Sequence, residues 1–294
     1  MSTEMTDNIR SRTHGRAIGA LAIALPLAAI VAGAWMPAWA FMWLLAWSVF
    51  FACKLVTCPD AAWDGHVTPG RTLAYLFAWP GMDTRFLGAD AIRTGGTPVS
   101  RGAVRIIIGA TMLWGVARLV PADRELLRGW VGLVGTVLVL HFGLFDVLAW
   151  YWQRRGIDAQ PLMDAPARSR SLAEFWGRRW NRGFHRLAEI FVFRRMSAVG
   201  ANGAMAVTFL ASGLVHDLVV SLPARGGYGL PTLYFLIQGA GVLLERTRIA
   251  RRAGLGRGLP GRAFAALFVL VPLPWLFHEP FVTRVVLPFL EVLR

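Results

Sequence analysis

The sequence predicts an all-α integral membrane protein, a helical bundle of seven to nine spans. Of its 294 residues, 55% are apolar and only 16% are charged, whereas soluble domains have about 45–50% apolar and about 25% charged residues. Apolar runs long enough to cross a bilayer recur along the chain. The cations collect in alternate loops between these runs. A water-soluble enzyme is therefore excluded.

Seven apolar runs approach or exceed the length of about 18 residues that a spanning helix needs. The predicted spans are 17–36, 38–56, 103–120, 129–150, 198–221, 230–245 and 263–278, with a short eighth run at 280–293. We expect 1–294 to form a single integral-membrane domain whose motif core is 171–246.

The net charge of +14 fits either nucleic-acid binding or cations that flank membrane spans. Loops on one predicted side carry 24 Lys and Arg residues, and those on the other side carry five. This asymmetry predicts a multi-pass protein with a cytoplasmic N-terminus and argues against a nucleic-acid partner. The Arg-rich usage, with Lys54 as the single lysine, favours a bacterial cytoplasmic membrane.

The loop 151–197 contains the most unusual sequence outside the spans. Ser171 and Glu174 form a capping box, and we expect Glu174 to pair with Arg178 four residues later. If one helix continues, Arg178, Arg182 and Arg186 share a face. That face either contacts lipid headgroups or meets the phosphates of a soluble substrate, with the Trp and Asn face turned into a membrane cavity. We expect the segment 171–197 to be interfacial or re-entrant.

The fifth span carries the strongest polar signal, His216. At 100° per residue, Asn202, Phe209 and Ser212 lie within about 40° of it on one stripe. An ionisable residue inside a span is costly and often marks a pathway or a reaction centre. The alternative is a neutral histidine hydrogen-bonded to a neighbouring helix. Asp217 lies about 100° away, where it caps, orients another group or meets water.

Two other patterns carry less weight. His141 and Asp146 have a His-x-x-x-x-Asp spacing, but inside a span five residues rotate about 140° and separate the side chains. We interpret that spacing as coincidence, with His141 a partner inside the bundle. His66, His185 and His278 lack ligand spacing to a carboxylate, so no metal site is expected.

Two blocks resemble the membrane-bound O-acyltransferases, specifically their wax synthase branch and its bacterial members. Residues 171–181, SLAEFWGRRWN, resemble the family's Phe-Trp, Arg-Trp-Asn motif. Residues 209–218, FLASGLVHDL, are similar to its Ser-Gly/Ala-x-x-His-Glu segment, with Asp217 where Glu is usual. Weaker similarity runs from Lys54 to Asp83 and from Gly229 to Glu245.

The resemblance implies an enzyme that moves a long-chain acyl group from acyl-CoA to the hydroxyl of a lipophilic alcohol. His216 and Asn181 match the family's characteristic His and Asn, which implies a general base and a donor for the oxyanion. We expect substrate contacts from Trp176, Arg179, Trp180, Arg182, Phe209 and Ser212. No cofactor is expected, and the partners are acyl-CoA, the alcohol and membrane lipids.

One geometric difficulty accompanies these roles. Counted from Ala198, His216 lies about 27 Å along its span at about 1.5 Å per residue, whereas Asn181 belongs to the preceding loop. We expect the 175–197 segment to dip into the membrane, helped by the apolar stretch 190–193. Heavily tilted spans or a deep channel would also bring the two together.

Two groups of alternatives stay open. The acceptor could instead be a sterol, diacylglycerol, a polyketide hydroxyl or a glycan. In a different functional class, the chain would be a small transporter with His216 as a proton relay, which would release no coenzyme A with any acceptor.

Overall fold

The computed structural model describes residues 2–58, 62, 67–88, 96–188 and 200–293, with side chains except at 2–14, 185 and 186. His66, the apolar stretch 190–193 and the predicted start of the fifth span at Ala198 lie outside the described residues. So do the side chains of His185 and Arg186. Every regular element in the described ranges is helical, as predicted.

The helices are numbered in chain order. They are α1 Ser2–Gly33, α2 Ala38–Thr57, α3 Pro69–Phe77, α4 Val99–Leu119, α5 Glu125–Arg154, α6 Leu172–Glu174, α7 Arg182–Ala188, α8 Gly200–Ala224, α9 Leu230–Glu245, α10 Arg248–Arg252, α11 Gly258–Leu276, α12 Glu279–Phe281 and α13 Leu287–Val292.

Six helices within the described ranges are long and apolar enough to cross a bilayer: α2, α4, α5, α8, α11 and the Gly15–Gly33 part of α1. Their bounds lie within five residues of the predicted spans wherever both are defined, apart from the longer N-terminal start of α1. The chain is thus a multi-pass integral membrane protein. Helix α9 is apolar but has only 16 residues, so the count of seven to nine spans stays a prediction.

Helices α4 and α5 are joined by a buried ion cluster. The Asp146 carboxylate, 1% exposed, accepts hydrogen bonds from Arg101 Nε at 3.0 Å and Arg105 Nη1 at 2.6 Å. Asp146 thus pairs with arginines and not with His141, in keeping with the two lying on different faces. His141 packs edge-on against Phe145, and its Nδ1 has no hydrogen-bond partner among the described residues.

The segment after α3 is fixed to the bundle by Lys54 near the end of α2. This side chain is fully buried and its ammonium lies 3.7 Å from the centre of the Tyr75 ring. It also donates a hydrogen bond to the carbonyl oxygen of Gly81. The contact brings together the two ends of the 54–83 stretch, and helix α3 stops at Phe77, ahead of Pro80 and Gly81.

Helices α8 and α9 approach closely because each has a glycine where it meets the other helix. A Cβ added at Gly213 of α8 would lie 2.7 Å from the backbone Cα of Thr232 in α9. One added at Gly239 of α9 would lie 3.1 Å from the Phe209 ring of α8. This close approach fixes the side chains of α8 relative to those of α9.

Candidate active site

A cavity of about 550 Å³, hereafter the central cavity, lies between α8, α9 and the 173–188 segment. Its lining is mostly apolar. The predicted site residues that line it are Trp176, Trp180, Asn181, Phe209, Ser212 and His216. Along α8 the lining runs from Ala201 to His216, which is about 22 Å at 1.5 Å per residue. His216 and Asn181, which are 35 residues apart in sequence, therefore line the same cavity.

His216 is held by its own helix and by α9. Its Nδ1 lies 2.7 Å from the carbonyl oxygen of Ser212, and its ring packs against Phe235 with centroids 4.4 Å apart. A carbonyl oxygen only accepts, so Nδ1 carries the proton of the neutral ring. The Nε2 atom is then the free base.

Asn181 occupies a strained backbone position. The chain leaves α6 through a π-helical turn, Phe175–Arg179, and Asn181 has φ +43°. Asparagine tolerates this left-handed conformation better than most residues. Its N–H points to Met163 Sδ at 3.3 Å, and the next N–H, of Arg182, bonds Leu162 O at 2.9 Å. Residues 162–163 thus support the turn that places Asn181 on the cavity.

Aromatic rings form one wall of the central cavity. Trp176 meets Phe209 at 5.8 Å and Phe235 at 5.6 Å between ring centroids. Its indole N–H donates to Gln238 Oε1 at 3.2 Å, and Gln238 is fully buried. A partly buried tryptophan whose N–H is hydrogen-bonded keeps a preferred orientation, so Trp176 forms a wall of the cavity.

The capping box is confirmed, but the predicted ion pair is wrong. Ser171 Oγ accepts from the Glu174 N–H at 2.9 Å, whereas Glu174 pairs with Arg179 at 2.8 Å instead of Arg178. The π-helical turn adds a residue per turn and moves the partner from four to five residues away. The hydrogen bond from the Arg170 N–H holds the pKa of Glu174 below its ordinary value, and the Arg179 guanidinium lowers it further.

The predicted arginine face is also wrong, because the helix does not continue through Asn181. The π-helical turn ends at Arg179 and α7 begins at Arg182, so Arg178 and Arg182 lie on separate helices. Arg178 is exposed. The Arg186 side chain lies outside the described residues.

Two predicted substrate contacts lie away from the central cavity lining. Arg179 is bound to Glu174 and to the carbonyl oxygen of Asp164 at 3.0 Å. Arg182 lines a separate cavity of about 450 Å³ together with Trp79, Gly81 and Asp83. One turn of α7 separates the two cavities, since Asn181 and Phe184 line the central one.

A third cavity, of about 510 Å³, adjoins the central one and is called here the arginine mouth. It shares Ala173 and Arg246 with the central cavity and adds Arg251 and Arg257. Arg246 Nη1 donates to Asn202 Oδ1 at 2.7 Å, near the start of α8. The mouth therefore opens at the Ala201 end of the cavity, opposite His216.

Asp217 faces away from the cavity and caps α9. Its Oδ1 accepts from the Gly229 N–H at 2.8 Å and from Ser221 Oγ at 2.9 Å. Its Oδ2 accepts from the Thr232 N–H at 3.0 Å and from the Thr232 hydroxyl. Helix N-termini have unpaired N–H groups that a carboxylate satisfies. Of the roles considered from sequence, capping is the one the contacts show.

Sequence reasoning missed several residues of the site. Glu245, Gln238 and Phe235 come from α9, and Arg246 follows it; none was predicted. The available signal was the presence of Gln238 and Glu245 in an otherwise apolar helix, where polar groups require partners. Among the described residues, no group of three His, Cys, Asp or Glu side chains is arranged to hold a metal ion.

The stretch that builds the cavity matches a known sequence family. Residues 159–237, which contain both Asn181 and His216, match the family model described as Membrane bound O-acyl transferase family. This segment is similar to that family. The resemblance to the membrane-bound O-acyltransferases and their wax synthase branch that the sequence predicted is confirmed by this match and the relatives below, and the resemblance to bacterial members stays a prediction.

Curated relatives resemble the chain over the same region. It is 32% identical over 139 residues to "Probable long-chain-alcohol O-fatty-acyltransferase 7" of Arabidopsis thaliana, covering 42% of this chain and 40% of the relative. It is 28% identical over 135 residues to "Long-chain-alcohol O-fatty-acyltransferase" of Simmondsia chinensis, covering 42% and 38%. The chain thus matches about two fifths of the length of these acyltransferases.

Proposed function

We propose that the protein transfers a long-chain acyl group from acyl-CoA to the hydroxyl of a lipophilic alcohol. The observation that carries this proposal is the central cavity, which His216 and Asn181 line together with aromatic and aliphatic side chains. The relatives named long-chain-alcohol O-fatty-acyltransferases support the reaction class and the acceptor.

His216 acts as the general base. Its Nε2 takes the proton of the alcohol while the alcohol oxygen attacks the thioester carbonyl carbon. The tetrahedral intermediate collapses, the carbon–sulfur bond breaks, and the departing thiolate takes the proton from the imidazolium. Neutral His216 is regenerated, and the products are the ester and free coenzyme A. The Ser212 carbonyl stabilises the ring by accepting from Nδ1 throughout.

Asn181 supplies a hydrogen-bond donor to the oxyanion or orients the thioester. An amide N–H₂ held on a strained turn is preorganised, and such donors are most effective when they need not move during the reaction. The left-handed backbone of Asn181 is the kind of local strain that persists where surrounding contacts enforce it.

The arginine mouth supports acyl-CoA as the donor. Arg246, Arg251 and Arg257 line it, and guanidinium groups bind phosphates well. A coenzyme A thioester carries phosphates and reacting sulfur at opposite ends of a long arm. The central cavity provides a passage of about 22 Å from the mouth to His216. The long acyl chain and the alcohol both prefer its apolar lining.

The charge asymmetry orients this arrangement. Arg246, Arg251 and Arg257 belong to the cation-rich set of loops, so we place the mouth and the N-terminus on the cytoplasmic side. We place the protein in a bacterial cytoplasmic membrane, and the whole 1–294 chain acts as one acyltransferase domain with its core at 171–246.

A substrate panel tests the proposal. Purified protein is incubated with radiolabelled palmitoyl-CoA and, separately, with hexadecanol, a sterol, diacylglycerol or no acceptor. We expect labelled ester and equimolar free coenzyme A with hexadecanol above the other acceptors. Transfer only to another acceptor would correct the substrate, and no coenzyme A release with any of them would overturn the proposal.

A further inference from the structure

Glu245 is a buried carboxylate that binds backbone N–H groups of another helix. Its side chain is 6% exposed. Oε1 accepts from the Leu172 N–H at 2.5 Å, and Oε2 accepts from the Ala173 N–H at 2.9 Å. These are the first two N–H groups of α6, which have no partner within their own helix. Glu245 therefore caps a helix 72 residues away in sequence.

The position of Glu245 in its own helix is unfavourable. It is the last residue of α9, where the helix dipole favours cations over carboxylates. Among the ion pairs of the described residues, Glu245 has none. The two N–H groups of α6 are thus the contacts that compensate for burying this charge.

Helix α9 contacts both halves of the site. At its start, Asp217 caps it directly after His216. In its middle, Gln238 binds the indole of Trp176. At its end, Glu245 holds the beginning of α6, from which the π-helical turn leads to Asn181. The length of α9, about 24 Å for 16 residues, therefore separates two fixed points on either side of the cavity.

We infer that Glu245 is a positioning residue that keeps the Asn181 turn facing His216. This inference rests on the proposed acyl transfer for its kinetic readout only. Without the cap, the 172–181 segment loses its attachment to α9 and Asn181 moves away from the reacting carbonyl. A displacement of about 1 Å can cost roughly 100-fold in rate. Water also enters more readily, so thioester hydrolysis gains relative to transfer.

The kinetic test compares Glu245→Gln, Glu245→Asp and the matched control Glu279→Gln, which neutralises an exposed carboxylate. For Glu245→Gln we expect kcat for ester formation to fall about 10- to 100-fold, with no rise in KM for acyl-CoA and a larger share of free fatty acid. Glu245→Asp keeps the charge but shortens the reach, so partial rescue is expected. The ester-to-acid ratio does not depend on the fraction of folded enzyme.

A second measurement is independent of activity. Leu172 is fully buried beside the cap, so Leu172→Cys in a background with Cys53 and Cys58 replaced by Ala reports undocking of α6. A charged maleimide should label Cys at 172 severalfold faster when Glu245→Gln is added, but not with Glu279→Gln. Leu45→Cys, also fully buried, reports global opening and should stay unlabelled.

The outcomes separate the inference from the proposed function. Inactivity of the wild type towards every acceptor overturns the function, while faster labelling at 172 still supports the positioning role. Unchanged labelling together with an unchanged ester-to-acid ratio in Glu245→Gln overturns the inference, whatever the wild-type rate.

Discussion

His216 Nδ1 lies 2.7 Å from the carbonyl oxygen of Ser212, one helical turn earlier in α8. The contact uses the backbone of Ser212 and leaves its hydroxyl free of the histidine. It fixes the tautomer of the neutral ring, with the proton on Nδ1 and the lone pair on Nε2. Because that carbonyl is part of the helix, the orientation of His216 follows from the fold itself.

Ser212→Ala should therefore leave the base intact. We expect kcat to change by less than about tenfold, well below the roughly 10²–10⁴-fold contribution of a general base, while KM for a substrate touching the hydroxyl rises. Steady-state kinetics with both substrates varied checks this. A kcat loss as large as that of His216→Ala would show that the hydroxyl takes part in the chemistry.

Asn181 allows its side chain to be tested apart from its backbone. Asn181→Gly keeps the left-handed conformation without strain and removes the amide, whereas Asn181→Asp keeps the shape but loses the N–H₂ donors. Both should lower kcat by about 10²–10³-fold if the amide binds the oxyanion. A change confined to KM would assign Asn181 to binding alone.

Gly213 of α8 lies against the backbone of Thr232 in α9. In Gly213→Ala the new Cβ would sit 2.7 Å from the Thr232 backbone, so the helices must separate and Phe235 must shift against His216. We expect a lower thermal unfolding temperature and a loss of kcat, with overpacking costing about 1–3 kcal/mol. Gly19→Ala, at a position with open space in α1, is the control and should change neither.

We expect substitutions in the arginine mouth to weaken acyl-CoA binding without slowing the acyl transfer step. Arg251→Gln combined with Arg257→Gln should raise KM for acyl-CoA at least about tenfold, as expected for losing about 1.4 kcal/mol or more of binding energy, with kcat within about twofold. Arg252→Gln removes a neighbouring exposed cation that does not line the mouth. If Arg252→Gln raises KM as much as substitution of Arg251 or Arg257 does, the rise in KM comes from general surface charge. Added salt should then abolish the difference from wild type.

Asp217 caps α9 through two N–H groups and the Thr232 hydroxyl. Asp217→Ala should destabilise the fold by about 0.5–2 kcal/mol, the range for a lost helix cap, and Asp217→Asn by less. Thermal unfolding in detergent measures the difference. Equal stability of the alanine variant would mean that these hydrogen bonds do not hold the start of the helix.

The sequence was sufficient for the spans but not for the turn that carries Asn181. Apolar runs and cation asymmetry depend on composition, which the lipid environment constrains strongly. The pairing of Glu174 with Arg179 depends on a π-helical turn, and the break before Arg182 depends on support from Leu162 and Met163. Both are tertiary effects without a local pattern.

The same distinction applies to the cavity. His216 and Asn181 were identified by their motifs, but their placement on one cavity depends on contacts to α9. Glu245 of α9 bonds residues 72 and 73 positions away, and Asp217 of α8 bonds Thr232 of α9, 15 positions away. The arginines predicted to share a phosphate-facing surface were Arg178, Arg182 and Arg186, whereas those that line the cavity beside the central one are Arg246, Arg251 and Arg257. Total charge in a loop does not reveal which arginine faces a cavity.

We propose that His216 removes the proton of the alcohol during acyl transfer. The most direct measurement is ester formation from labelled palmitoyl-CoA and hexadecanol by purified His216→Ala, compared with wild type at matched folded concentration. We expect a loss of about 10²-fold or more in kcat with acyl-CoA binding retained. Turnover by His216→Ala at the wild-type rate would contradict it.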